Sequence, residues 1–83
     1  MNRCRHDIVM DILISIKNGR RKITEICTSS NLPVDRGKKI LDEMCRQGLV
    51  LNVNGEFRLS SKGYSWLEIY NMVEQYLTGG DEV

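Results

Sequence analysis

Histidine occurs once in this chain, at position 6, and proline once, at position 33. No glycine-rich loop is spaced to cradle a phosphate and no nucleophile has a base in evident reach, so a catalytic constellation is missing. The expectation is a non-enzyme that uses no cofactor and no small-molecule substrate, with His6 a surface residue near a loose end. Cysteine is scarce and badly spaced for metal: Cys4, Cys27 and Cys45 form no CxxC or CxxH pair and leave an odd count. Cys27 and Cys45 fall on apolar helix faces, where a free thiol packs as a small hydrophobe. A disulfide between them stays open on sequence grounds. Long apolar runs are absent too, since residues 12–16, with Ser15 among them, fall far short of the roughly 20 needed to cross a bilayer. Arg3, Arg5 and Asp7 lead into an amphipathic segment with acidic residues in it, unlike a secretion signal. A cytoplasmic protein with no membrane partner is expected.

What is present is a single domain's worth of chain, 83 residues. At that size only about 60% of the unfolded chain's surface is buried on folding, so a monomer is marginal and a second copy would help. The net charge of +1 conceals an asymmetry: residues 1–48 hold ten Lys or Arg against six Asp or Glu, whereas residues 49–83 hold two against five. One end is thereby suited to a polyanion, although such a run is also what an ordinary solvated surface looks like.

Hydrophobic periodicity divides the chain into elements. Over residues 7–17, Ile8, Val9, Ile12, Leu13 and Ile16 share one helical face, and Met10 and Ile14 lie on a second, as if a partner subunit covered it. Arg20, Arg21 and Lys22 follow as a compact basic cluster. Thr24 suits an N-cap for a helix through Ser29, with Ile23 an extended core residue before it. Asn31-Leu32-Pro33 breaks that helix, and a longer one begins again at Val34 and runs to Gln47, where Gly48 can stop it in the left-handed conformation. Two helices joined by so tight a turn form a helix-turn-helix. Val34, Gly37, Ile40, Leu41, Met44 and Cys45 face inward on the second helix, and Asp35, Lys39, Asp42, Glu43 and Arg46 face out. Gly37 in a helix interior costs roughly 1 kcal/mol relative to Ala, which close packing of the preceding helix would explain.

The period then changes to two. LVLNV, Asn54-Gly55 and EFRLS form a hairpin with the two-residue turn that Asn-Gly tolerates best. The register it sets pairs Val50 with Leu59 and Asn52 with Phe57 on one face, Leu51 with Arg58 and Val53 with Glu56 on the other. Ser60 or Ser61 caps a last helix running to about Leu77. Its apolar face, with Trp66, Leu67, Tyr70, Val73 and Leu77 widened by Ile69, Met72 and Tyr76, is broader than one small domain covers. A hairpin after a helix-turn-helix is a wing, so the fold class is α+β, mostly α: a winged helix-turn-helix of three helices, a wing and a C-terminal dimerisation helix. The domain is 1–83, with 7–60 the winged part, 61–77 the last helix and 78–83 a tail.

Together, TEICTSSNLPVDRGKKILDEMCRQGLV and NGEFRLSSKGYSWLEIYNMVEQYL resemble the small archaeal winged-helix DNA-binding proteins that dimerise through a C-terminal helix. The resemblance covers about residues 8–77 and rests most on Asn31-Leu32, Gly48-Leu49-Val50 and Leu59-Ser60-Ser61-Lys62-Gly63. It implies a symmetric dimer, binding to double-stranded DNA, no catalysis and no cofactor. The chain departs in a short last helix and in Asp35 and Gly37 on its recognition helix. For a duplex, the expected groove contacts are Arg36, Lys38 and Lys39 at the start of helix 34–47, with Ser29, Ser30 and Arg46 as phosphate partners. Arg20, Arg21 and Lys22 flank them, and Asn54 and Arg58 stand at the wing. The expected dimer face comprises Met10, Ile14, Trp66, Ile69, Tyr70, Met72, Val73, Tyr76 and Leu77. The leading expectation is a dimeric transcriptional regulator. Against it stand a non-specific architectural protein and a protein-contact module, for which Asp35 with Lys39 and Asp42 with Arg46 would be plain i, i+4 helix support.

Overall fold

A computed structural model of the protein describes residues 5–79, apart from the side chains of Asn71 and residues 73–79. The elements are α1 (Arg5–Lys17), α2 (Ile23–Ser29), α3 (Val34–Arg46), β1 (Val50–Val53), β2 (Glu56–Leu59) and α4 (Ser61–Gly79). This is the expected α+β architecture, mostly helical: a helix-turn-helix, a two-stranded antiparallel wing and a final helix. Helix α1 starts two residues before the expected Asp7, and α4 runs two residues past Leu77.

Four isoleucines and a valine give α1 poor intrinsic helix propensity. Burial holds it instead, because α2, β2 and α4 all pack around it. Ile8, Ile12, Leu13 and Ile16 join Ile26, Ile40, Leu41, Met44, Leu49, Val50, Phe57 and Leu67 in one core. Met10 joins them too at 1% exposed, which corrects its placement on a dimer face: the second cover it needs comes from the chain's own elements. Ile14 alone of that pair reaches the surface.

Helices α1, α2 and α3 all end the same way. The residue two past the last full turn donates its N–H back five positions and the one before it donates back three: Arg20 to Ser15 and Gly19 to Ile16, Leu32 to Cys27 and Asn31 to Thr28, Leu49 to Met44 and Gly48 to Cys45. Such an end requires one left-handed residue, supplied at α3 by Gly48 with φ 81°. Asn31 takes the same role after α2 with φ 57°, and so fixes the turn of the helix-turn-helix.

Helix α2 begins two residues earlier than its sequence suggests. Lys22 rather than Thr24 occupies the N-cap, in an extended conformation, and Ile23 is the first helical residue. Lysine has no acceptor to offer, so only the reverse half of a capping box forms: Glu25 Oε1 accepts the N–H of Lys22 at 3.3 Å and of Arg21 at 3.2 Å. The wing has the expected register, Val50 with Leu59, Leu51 with Arg58, Asn52 with Phe57 and Val53 with Glu56. Its turn places Asn54 and Gly55 at φ 52° and 84°, the two positive angles of a type I′ turn. Ser60 caps α4 by accepting the Gly63 N–H at 3.0 Å.

Candidate nucleic-acid interface

Helix α3 owes its position to two close approaches. A Cβ at Gly37 would lie 2.3 Å from Cys27 Sγ, so the glycine lets α2 cross against α3 at a distance no larger residue permits. At the other end Lys62 Nζ donates to the Gln47 carbonyl at 2.8 Å, and the Ser60 hydroxyl donates to the Gly48 carbonyl. Gly37, Ile40, Leu41 and Met44 are buried, which turns the opposite face outward. Arg36, Lys38, Lys39 and Arg46 all stand exposed there, with Asp35 and Asp42 among them. Val34 was expected inside, but at the first position of the helix it is nearly half exposed.

The expected neutralising pairs do not close. Among the described residues no ion pair joins Asp35 to Lys39 or Asp42 to Arg46, while Glu43 is engaged by Arg5 of α1. Four basic heads thus face outward against two carboxylates. No side chain caps the first turn of α3, so its free N–H groups add the positive end of the helix dipole to the same region.

The basic cluster before α2 divides by role. Arg20 and Lys22 are exposed. Arg21 is half buried and its guanidinium donates to the Ile16 carbonyl at 2.6 Å and the Arg20 carbonyl at 3.1 Å, closing the end of α1. Its own carbonyl accepts the Phe57 N–H at 2.8 Å, stitching this segment to the wing. Ser29 is exposed, with its Oγ 2.8 Å from that of Ser15. Ser30 is not available to a phosphate: it is 1% exposed, with its Oγ 3.3 Å from that of Ser15, because the end of α2 turns it under toward α1. Asn18, Thr24 and Thr28 line an open concavity together with Arg20, Glu25 and Ser29. Sequence reasoning read Thr24 only as a helix cap and gave Asn18 and Thr28 no role, although Thr24 and Thr28 are four apart, a spacing that puts both on one exposed side of α2.

At the wing, Asn52 Oδ1 accepts the Gly55 N–H at 3.1 Å and stiffens the tip. Arg58 lies 3.7 Å from Glu56, so its charge is shared rather than lost, both groups being about half exposed. On α4, Trp66, Ile69 and Met72 are exposed, Tyr70 is half buried, and Val73, Tyr76 and Leu77 lie outside the described side chains. His6 is helical and exposed, its ring 6.3 Å from Trp66 and 6.0 Å from Tyr70 between centroids.

The Arg21 and Lys22 N–H groups hold the Glu25 carboxyl below its ordinary value. Burial pushes both the Cys27 and Cys45 thiols up, with Asp42 adding to the effect at Cys45, and both thiols are free. Cys4 lies outside the described residues. Among those residues no group of His, Cys, Asp or Glu is placed to hold a metal, and no helix is long and apolar enough to cross a membrane.

A helix-turn-helix whose second helix presents a mixed but predominantly cationic face, beside a β-hairpin, defines a winged helix. Residues 2–78 match the winged helix-turn-helix family model, and the chain belongs to that family. Among solved structures it is similar to Sso10a-2, a DNA-binding protein from Sulfolobus solfataricus, with 19% identity and a TM-score of 0.66 over 96% of this chain and 90% of that one. It is also similar to part of NcsB1, an O-methyltransferase from neocarzinostatin biosynthesis, at 22% identity and a TM-score of 0.64 over 71% of this chain. The chain spans only 20% of that enzyme's length. At these identities both likenesses concern the fold. No curated protein matches the chain.

Proposed function

We propose that this protein is a non-catalytic binder of double-stranded DNA, acting as a symmetric dimer that regulates transcription. Helix α3 enters the major groove with Arg36, Lys38 and Lys39 foremost, and Arg20, Lys22, Ser29 and Arg46 meet the flanking phosphates. Arg21 serves mainly to fix that margin of the interface. Asn54 and Arg58 of the wing reach the neighbouring backbone. The observation that carries the reading is the outward cluster of Arg36, Lys38, Lys39 and Arg46, unpaired with Asp35 or Asp42, on a helix whose other side is anchored in the core. That a protein of the same fold and nearly the same length is described as DNA-binding supports it. The exposed row Trp66, Ile69 and Met72 on α4 supports the second copy, and Ile14 is a further exposed apolar residue on α1.

Fluorescence anisotropy against a random-sequence duplex, repeated across a salt series, tests the reading. Affinity should fall with salt at a slope of about −0.9 per phosphate neutralised. Replacing Arg36 and Lys39 together by Ala should weaken binding and leave thermal stability nearly unchanged. Absent or salt-insensitive binding would favour the protein-contact reading, which Asp35 and Asp42 on the same face keep in play. Equal affinity for every sequence would favour an architectural role over a regulatory one.

A further inference from the structure

The wing's small sheet is closed on one side and open on the other. In a hairpin with a two-residue turn, bonded and non-bonded pairs alternate, so Val53 with Glu56 and Leu51 with Arg58 exchange hydrogen bonds while Asn52 with Phe57 does not. The Phe57 N–H accordingly points away from β1 and donates to the Arg21 carbonyl, which covers the β2 edge. The Asn52 main chain points the opposite way, out from β1, and no further strand pairs there among the described residues. Natural edges are guarded by Lys, Pro, a bulge or an inward charge. The sequence of β1, VLNV, has no charge and no proline, and Leu51 and Val53 stand about half exposed on one face of it.

We propose that this edge pairs antiparallel with the same strand of a second copy, about a two-fold axis through Asn52. The occupant has to be extended chain, because the groups awaiting a partner are a strand's outward N–H and C=O. A second β1 meets them in self-complementary register: Asn52 faces its own counterpart, and Leu51 of each copy faces Val53 of the other. Across the joined sheet each row reads Arg58 and Leu51 from one copy, then Val53 and Glu56 from the other, so an apolar strip forms with opposite charges at its ends. So short an edge covers far less than the roughly 800 Å² per partner of a stable interface. The contact is therefore weak, separate from the apolar face of α4, and suited to copies already crowded along one duplex, a setting that rests on the function proposed above although the pairing itself does not.

Amide exchange followed by NMR over a range of protein concentrations up to millimolar tests it. The substitutions Ile69→Glu and Met72→Glu are included to remove association through α4. The Asn52 N–H should gain protection as concentration rises, while the Leu51 N–H, bonded inside the hairpin, stays constant and reports that the wing is folded. In a Cys4→Ser background, Asn52→Cys should form a disulfide-linked dimer in a glutathione buffer. Arg58→Cys, roughly 16 Å from its counterpart across three strand spacings and a two-residue stagger, should not. Asn52 exchange that ignores concentration, or equal dimer yields at the two positions, overturns the pairing. Neither readout contains DNA, so a failure of duplex binding would refute the functional reading and leave this one standing.

Discussion

At Gly37 two effects of opposite sign meet. Alanine would remove a helix penalty of roughly 1 kcal/mol. Its Cβ, however, would sit 2.3 Å from Cys27 Sγ, a contact the packed core has to relieve by shifting. Overpacking of this kind costs about 1–3 kcal/mol, so Gly37→Ala should lower stability in urea denaturation. Once Cys27→Ala removes the sulfur, the nearest remaining atoms are Cys27 Cβ at 3.8 Å and Leu32 Cβ at 4.0 Å, which are ordinary contacts. The double variant should therefore be more stable than the two single effects sum to, and an additive cycle would mean that the glycine serves something other than this crossing. Glu25 gives a pH-dependent case at the same scale. Its folded pKa is depressed from 4.5 by the Arg21 and then the Lys22 N–H groups, so its contribution is present above the unfolded value and is lost as pH falls through the folded one. The melting-temperature gap between the wild type and Glu25→Ala should accordingly be full at neutral pH and close in acid. A gap that persists undiminished at pH 2 would mean that the loss does not come from the ionised carboxylate at the cap.

Among the elements, the wing was the most legible. Asn-Gly demands two positive φ angles, and the change from a period of 3.6 to one of two marks both strands, so the register follows from the turn alone. Helix α3 and its Gly48 stop were legible for similar reasons. The start of α2 was not, because its cap is a carboxylate reaching backward from Glu25, and the extended entry it needs is held by Arg21 bonding to the wing, a contact 36 residues away in sequence. Met10 and Ser30 were misplaced for a shared reason: which side of a helix is covered depends on how elements dock, and periodicity within one element is silent on that. The charge balance of α3 belongs to this scale as well. Asp35 and Asp42 stand exposed among its basic residues without ion pairs to Lys39 or Arg46, so they oppose a polyanion directly. Asp35→Asn with Asp42→Asn should raise duplex affinity severalfold at low salt in an anisotropy titration. If duplex affinity stays unchanged, the groove-facing side of α3 is not the one described.

For the whole molecule, the decisive element is α4. Its 19 residues make about 28 Å of helix. The molecule measures 47 × 31 × 21 Å, elongated in a way that a helix leaving the core explains. Ile69 and Met72 are 62% and 63% exposed, so replacing both with Glu removes apolar surface that no core contact uses. The variant should keep its helicity and fold. If α4 carries the second copy, sedimentation should change from dimer to monomer, since two carboxylates would have to be desolvated at the contact. A monomer brings one α3 to the duplex, whereas a two-fold dimer brings two to half-sites about 34 Å apart. The number of phosphates neutralised per bound particle should then halve, and with it the slope of log affinity against log salt. Halving of that slope together with loss of the dimer ties assembly to DNA contact through one helix. A wild-type chain that already sediments as a monomer, or a variant with an unaltered slope, would leave α3 working singly and the exposed row on α4 for another use.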